Sequence, residues 1–186
     1  MKRFLTILAF LILIPVAAQA ATSTPEEQRA GIQKMREETL TKLYELQPDA
    51  KREIEGAAGY AVFSSGELAI LWVSGGYGHG VAHNNKNGAD TYMQMAKAGL
   101  GIGVGAKEHN TVFVFHDLAS LDNFINTGLD LTGTADAAAK VGEKGDAVGG
   151  AADVLPGVRI YQITDSGLIA QAMVQGTKYW RDDSLN

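Results

Sequence analysis

A run of glycines at every second position constrains the fold of this chain more than any other feature. Residues 99–106 read GLGIGVGA. Successive side chains of a strand point to opposite faces, so glycines two apart leave one whole face without side chains. Another protein element or a fatty acyl chain must then lie close to the bare backbone. The run predicts a closely packed strand, and the glycines concerned are Gly99, Gly101, Gly103 and Gly105.

A second glycine-stepped segment, GGYGHG, occupies residues 75–80, where Gly76, Gly78 and Gly80 share one face. Two such strands in one small domain predict a sheet that bends towards a barrel. Neither run is typical of a nucleotide loop. The dinucleotide fingerprint G-x-G-x-x-G precedes a helix, whereas residues 99–105 read G-x-G-x-G-x-G and continue into a predicted turn.

The first 20 residues predict a secretory signal peptide. Lys2 and Arg3 precede a run of 15 apolar residues that ends in Ala18-Gln19-Ala20, which is the order of regions in a cleaved leader. A membrane span is the alternative, but a span needs about 20 apolar residues. We expect cleavage after Ala20 and export, to the periplasm in a bacterium with two membranes. A lipid anchor on cysteine is not expected, because the chain has no cysteine.

Composition favours one acidic domain. We expect residues 1–20 to be the signal peptide, 21–48 an N-terminal helical segment and 49–186 a β domain. The chain has 16 Lys and Arg against 21 Asp and Glu, a net charge of −5, and losing Lys2 and Arg3 would make it −7. Nucleic acid is therefore not an expected partner, since it binds proteins largely through phosphate contacts to basic residues.

Residue patterns predict an α+β fold that is mainly β. Thr24 and Glu27 form a capping box that begins a helix over residues 24–47. Asp49 is predicted to cap a short second helix that runs through Glu55 and is closed by Gly56. Asp117 caps a third helix that ends at Gly128. Residues 130–153 combine high helix propensity with polar–apolar alternation, and we favour a long hairpin. Strands are predicted at residues 60–63, 68–73, 77–83, 91–98, 111–116, 158–163 and 168–175. Together these elements predict a strongly bent antiparallel sheet or barrel-like β core, with an N-terminal amphipathic helix and one short inserted helix.

No catalytic or metal-binding pattern stands out in the sequence. His79 and His83 are four residues apart, which in a strand is about 13 Å, too far to share one ion. His109 falls in a predicted turn and His116 at a strand end. The chain has no nucleophile elbow and no interpretable pair of carboxylates. We therefore expect a protein without enzymatic activity, cofactor or metal.

The segment from Lys178 to Arg181 is the best candidate for a lipid-contacting site. Tyr179 and Trp180 stand between Lys178 and Arg181, and interfacial aromatics next to cations are typical of membrane-surface anchors. The alternative is that the aromatics close the core and the cations pair with Asp182 and Asp183. Alternation in a strand would place Tyr179 and Trp180 on opposite faces, so that one of them is buried.

Five segments, in order, resemble the SYLF domain family. They are AAGYAVF (57–63), GGYGHGVA (75–82), AKAGLGIGVGAKEHNTVFVF (96–115), LASLDNFI (118–125) and GLIAQAMVQGTKYW (167–180). The resemblance implies a lipid-binding module with a mainly β fold. Eukaryotic members bind phosphoinositides and other anionic phospholipids, some bind actin, and bacterial members are exported envelope proteins. This chain departs from the family in its acidity and in a first helix without a basic face, so only phospholipid contact is carried over.

Two functions follow as expectations. The first is an envelope protein that binds phospholipid or a membrane surface through residues 178–181. The second is a structural or partner-binding envelope protein with no lipid preference, which uses a sheet edge or the N-terminal helix. For the second, deletion of residues 24–48 would abolish partner capture and leave the β domain folded.

Overall fold

The computed structural model describes residues 23–71, 73–99, 103–131, 151–164, 167–169 and 176–186. The fold is α+β and mainly β, as predicted. The helices are α1 (Pro25–Leu46), α2 (Asp49–Gly56) and α3 (Leu118–Thr127). The strands are β1 (Gly59–Leu71), β2 (Val73–Asn84), β3 (Asp90–Gly99), β4 (Gly103–Phe115), β5 (Leu129–Asp130), β6 (Ala151–Leu155), β7 (Val158–Thr164), β8 (Gly167–Ile169) and β9 (Thr177–Arg181).

The helix signals in the sequence act locally, and most are confirmed. The side chain of Thr24 accepts a hydrogen bond from the backbone of Glu27, and the side chain of Glu27 accepts one from the backbone of Thr24, so the capping box is complete. Asp117 caps α3, and Gly128 ends it with a φ of 78°. Asp49 does not cap α2. The cap position is Pro48, and Asp49 lies in the first turn, where its carboxylate pairs with Arg52.

All strand pairings are antiparallel, and the strand order is β5-β9-β3-β2-β1-β4-β7-β6, with β8 beside β7. The order β3-β2-β1-β4 is a Greek key, in which the fourth strand returns beside the first. Among the described residues, β5 and β6 at the two ends of the sheet do not pair. The described sheet is therefore open rather than a closed barrel.

Strand β1 is longer than the sequence suggested. The sequence predicts two strands, 60–63 and 68–73, with Ser-Ser-Gly between them, but one strand runs from Gly59 to Leu71. Its middle residue Ser65 pairs with Gly78 on β2 and with His109 on β4. Pairing on both sides satisfies the backbone of this segment, so tertiary contacts override its turn propensity.

The described residues of the run GLGIGVGA belong to two different strands. Gly99 ends β3, where it pairs with Ser74, and Gly103 begins β4, where it pairs with Leu71. The prediction of one continuous strand was wrong because the run connects two strands that lie on opposite sides of the β1–β2 hairpin. In a flat sheet these strands would be about 14 Å apart, and four Cα steps span about 14 Å when fully extended. A connection this short favours a curled sheet.

Helices cover the sheet on both faces. We call the face that carries Val62 and Val81 the outer face, and α1 and α2 pack on it with Ile32, Leu43 and Ile54. The opposite, inner face carries an aromatic core that α3 covers with Leu121 and Phe124. The strand predicted at residues 111–116 is buried on both faces from Thr111 to Phe115, as its apolar sequence indicated.

Several predictions lie outside the described residues. They are the signal peptide, most of the hairpin proposed for residues 130–153, the strand beyond residue 169, and Gly101. The described ends of the hairpin segment are β5, which pairs with β9, and β6, which pairs with β7.

Candidate functional site

Strand β9 carries the four residues predicted to contact lipid, and its alternation separates them. Tyr179 is 2% exposed and belongs to the inner aromatic core. Its ring centroid lies 4.8 Å from that of Phe63 and 5.1 Å from that of Phe113, both in edge-to-face geometry. Tyr179 was therefore wrongly included in the lipid-contacting set, because its side chain packs between the sheet and α3. Burial raises the pKa of its hydroxyl above the usual value of 10.0.

Lys178 and Trp180 lie on the outer face. Lys178 is opposite Ala96 and Trp180 is opposite Gln94 in the β3–β9 register. The side chain of Lys178 is 56% exposed, and its Nζ lies 3.4 Å from Oδ2 of Asp130. Exposed ion pairs of this kind contribute roughly 0–1 kcal/mol. The Lys178 ammonium is therefore available to a stronger anion.

Arg181, the last residue of β9, has the same strand parity as Tyr179 but lies at the strand end. Its Nε lies 3.8 Å from Oδ1 of Asp183, and its side chain is 48% exposed. Each cation of the predicted site thus has one exposed carboxylate neighbour. This contact between Arg181 and Asp183 agrees with the alternative prediction that the cations pair with the neighbouring aspartates.

Two further residues of the outer face complete the surface, and the sequence analysis missed both as lipid contacts. Tyr77 is 57% exposed, and the pairing register places it in line with Ala96 and Lys178. His79 is exposed and lies in line with Gln94 and Trp180. We call Tyr77, His79, Lys178 and Trp180 the outer patch. The sequence did carry a signal for Tyr77 and His79. In the segment GGYGHG they alternate with the glycines, so in a strand their side chains lie on the opposite face from the glycines.

The outer patch begins at the edge of the part of the outer face that helix α1 covers. Val81 on β2 is fully buried beneath Ile32 of α1, whereas His79, two residues along the same face, is exposed. Between His79 and Trp180 on the outer face, the side-chain amide of Gln94 donates a 2.6 Å hydrogen bond to Asp182. Burial opposes ionisation of Asp182, but hydrogen bonds from Ser184 and Gln94 outweigh it and lower its pKa. The C-terminal turn is thereby tied to the strand that supports the patch.

The inner face explains the glycines of β2. Gly76 is the register partner of both Glu67 on β1 and Lys97 on β3. Because Gly76 has no side chain, Lys97 reaches across it, and its Nζ lies 2.9 Å from Oε2 of Glu67. A hydrogen bond from Lys97 is the main cause of the lowered pKa of Glu67.

Gly78 and Gly80 lie against the backbone of β1. A Cβ atom at Gly78 would lie 2.3 Å from the carbonyl oxygen of Ser64, and one at Gly80 would lie 2.2 Å from that of Val62. At Gly99 the nearest atom would be Oγ of Ser74, at 3.3 Å. The space above the β2 glycines is therefore occupied by protein and not by a fatty acyl chain. Gly103 and Gly105 lie on β4, and the surroundings of their α-carbons are not described.

A serine–histidine pair lies beside the ion pair of Glu67 and Lys97. Oγ of Ser65 is 3.1 Å from Nε2 of His109, within the distance of nucleophile–base pairs in enzymes. Burial and the charge of Lys97 lower the pKa of His109, although Glu67 opposes the shift. His109 is thus held neutral at pH 7, but Ser65 is only 4% exposed. The pair serves as a buried hydrogen bond between β1 and β4.

The remaining histidines support packing. Nδ1 of His83 lies 2.6 Å from Oδ1 of Asp90, which also accepts a hydrogen bond from Arg36 of α1. His116 lies 3.3 Å from Glu53 of α2. Within the described part of the chain, no three His, Asp or Glu residues are grouped closely enough to hold a metal ion.

A curated protein matches most of this chain. The chain is 37% identical over 162 residues to Beta cell expansion factor A of Aeromonas veronii, a match that covers 87% of this chain and 60% of that protein. The chain thus spans about three fifths of the relative's length. No protein-family model matches the chain. Among the helices of the described residues, none is both long enough and apolar enough to cross a membrane.

Proposed function

We propose that this protein is an exported phospholipid-binding domain of the SYLF type that contacts a membrane surface through the outer patch. The observation that carries the proposal is the outer face of the sheet beyond α1, where exposed Tyr77 and Lys178 lie together with the half-buried Trp180. Tyrosine and tryptophan suit a bilayer interface because each has an apolar ring and a polar tip. Lysine extends an aliphatic stem with its charge at the end, which suits a phosphate headgroup.

The proposed attachment is weak and depends on anionic lipid. Each lysine or arginine near an anionic membrane surface contributes about 1 kcal/mol, and the net negative charge of the protein opposes approach outside the patch. Salt screens such contacts beyond a Debye length of about 8 Å at physiological ionic strength. Binding is therefore expected to fall steeply as the salt concentration rises.

Vesicle co-sedimentation tests the proposal. Lys178→Glu reverses one patch charge, a change of about 2 kcal/mol or roughly 30-fold in affinity for phosphatidylglycerol vesicles. Trp180→Ala removes the interfacial ring from the same face. Lys34→Glu is the matched control, because Lys34 is an exposed lysine of α1 that pairs only loosely with Glu38. The role of the patch would be refuted if phosphatidylglycerol vesicles pelleted the unmodified protein and the three variants equally. It would also be refuted if none of the four proteins pelleted with any vesicle.

Export is part of the same proposal. N-terminal sequencing of the protein from a cell-envelope extract should begin at Ala21 if the leader is removed after Ala20. A chain that retains Met1 and stays with the cytosolic fraction would contradict this part without affecting the vesicle experiment.

The second candidate function is a structural or partner-binding role in the envelope with no lipid preference. In that case the ligand would be a protein partner rather than a lipid. The deletion of residues 24–48 is not a suitable test, because Ile32 and Leu43 of α1 are buried in the cores of the domain. Exposed α1 residues serve instead: Glu37→Lys should abolish cross-linking to a partner while the domain stays folded.

A further inference from the structure

His79 is an exposed residue of the outer patch. In the pairing register it lies opposite Ser64 on β1 and Gln94 on β3, and both of these neighbours are uncharged. Within the described part of the chain, the imidazole of His79 makes no hydrogen bond and no ion pair. The ring can therefore take up a proton and contact a ligand without giving up an interaction within the protein.

A histidine at this position makes the charge of the outer patch depend on pH. Histidine is the side chain whose charge changes between about pH 5 and 8. A proton on His79 would add a positive charge to the face that carries Lys178 and Trp180. The other three histidines lie against polar side chains, and they are His83 beside Asp90, His109 beside Ser65 and His116 beside Glu53.

The segments that border the patch carry more negative than positive charge at neutral pH. Strands β5 and β9 and the turn after β9 supply two cations and three carboxylates, and ion pairs of 3.4 Å and 3.8 Å join them. A proton on His79 would offset this surplus negative charge, and the patch would then attract an anionic surface more strongly. The cations are Lys178 and Arg181, and the carboxylates are Asp130, Asp182 and Asp183.

The charged and titratable groups around His79 come from its own strand, from β9 and the turn after it, and from α1. Burial and the charge of Asp182 raise the pKa of the Tyr77 hydroxyl, so this group stays neutral. The Asp182 carboxylate already accepts a hydrogen bond, and Arg29 of α1 is bound to the C-terminal turn. Lys178 is two strands and two residue steps away, roughly 12 Å. This distance exceeds a Debye length of about 8 Å, so both positive charges can be present together.

We propose that His79 is a proton-dependent cation of the outer patch, so that the protein binds an anionic phospholipid surface more tightly in mildly acidic medium. This role rests on the proposed function, since it takes the outer patch as the membrane-contacting surface. It adds regulation by pH, which attachment through Lys178 and Trp180 alone does not predict. One more charge near an anionic surface should raise the affinity about fivefold.

Vesicle titrations at two pH values test the proposal. The full chain is titrated with vesicles of equal parts phosphatidylglycerol and phosphatidylcholine at about pH 5.5 and about pH 8. The phosphodiester of phosphatidylglycerol stays ionised at both pH values, so the charge of the membrane is constant. The unmodified protein should bind about fivefold more tightly at the lower pH, and salt should reduce this difference. Equal affinity at the two pH values would overturn the proposal.

Matched variants locate the proton. His79→Gln should bind with the same affinity at both pH values, because a glutamine side chain does not titrate. His79→Arg carries a permanent charge and should bind at the higher pH as tightly as the unmodified protein binds at the lower pH. His116→Gln is the control, because His116 is also exposed but lies beside Glu53 of α2, and it should keep the fivefold difference. A pH-dependent difference that persists in His79→Gln would refute the role of His79.

Proton uptake gives an independent measurement. Because a proton on His79 favours membrane binding, membrane binding must in turn favour the proton. Calorimetry in two buffers of different ionisation enthalpy, at about pH 6.5, should show proton uptake when the unmodified protein binds the same vesicles. His79→Arg should show none, and uptake of equal size in both proteins would contradict the proposal.

The outcomes separate this inference from the proposed function. If the anionic vesicles bind equally at both pH values, the membrane function stands and the role of His79 is wrong. If vesicles of phosphatidylcholine alone show the same pH dependence, attraction between charges is not its cause and the role of His79 is again wrong. If no vesicle binds at either pH, the membrane function is wrong and the role of His79 fails with it.

Discussion

The close approach of β1 to the glycines of β2 makes a sharp prediction about stability. In Gly78→Ala, the new Cβ atom would lie 2.3 Å from the carbonyl oxygen of Ser64 and 2.9 Å from both Cα and Cβ of Ser65. Those atoms belong to a central strand that is paired on both sides, so they have little freedom to move. The substitution must shift the pairing of β1 or distort β2.

Gly75→Ala is the matched control. Gly75 lies three residues earlier on the same strand, and the nearest atom to a Cβ there is the carbonyl oxygen of Lys97, at 3.8 Å. Replacing a strand glycine with alanine at an unobstructed site should be neutral or stabilise by about 0.5–1 kcal/mol. Overpacking at Gly78 should instead cost about 1–3 kcal/mol.

Thermal unfolding followed by circular dichroism measures both changes. For a domain of this size, each kcal/mol shifts the melting temperature by about 2–4 °C, so a cost of 2 kcal/mol lowers it by roughly 4–8 °C. Gly75→Ala should melt at or slightly above the temperature of the unmodified protein. Melting of the two variants within about a degree of each other would refute the view that β1 occupies the space above Gly78.

Three further predictions concern the core and its ionisable groups. Lys97→Met should lower the free energy of unfolding by about 1–3 kcal/mol at pH 7. Because Lys97 lowers the pKa of Glu67, the difference in stability between the variant and the unmodified protein should shrink below pH 4.5. A difference that stays constant in urea unfolding from pH 3 to 7 would contradict this. Leu43→Ala should cost about 2–5 kcal/mol because Leu43 is fully buried; an unchanged urea midpoint would show that α1 is a separate segment. Burial raises the pKa of Tyr179 above 10.0. The stability that the buried neutral hydroxyl contributes is therefore present below pH 10 and is lost as pH rises through the raised pKa. The phenolate absorbance of Tyr179, measured as the difference from Tyr179→Phe, should appear only when the protein unfolds.

The candidate site was only partly predictable from the sequence. The motif at residues 178–181 indicated a surface with aromatic and cationic character, and strand alternation already required that one of Tyr179 and Trp180 be buried. Which one is buried depends on the side of β9 that faces α3, and this is set by pairing with β3. Tyr77 joined the patch only through its register with Ala96 and Lys178.

The inner polar cluster shows the same division. Glu67 and Lys97 are 30 residues apart in the chain, and Ser65 and His109 are 44 apart. Their types and spacing carry no local pattern that joins them. They meet because the Greek key places β1 between β2 and β4, and because Gly76 leaves room for one side chain to cross its strand.

By itself, the sequence determined what acts over a few residues. A capping box began α1, Asp117 and Gly128 bounded α3, and an apolar run identified the buried part of β4. Only the tertiary structure decided the continuity of β1 and the division of GLGIGVGA between β3 and β4. The physical reason is that caps and propensities arise from neighbours in the chain. Strand order and register depend instead on burial and hydrogen bonding between distant segments.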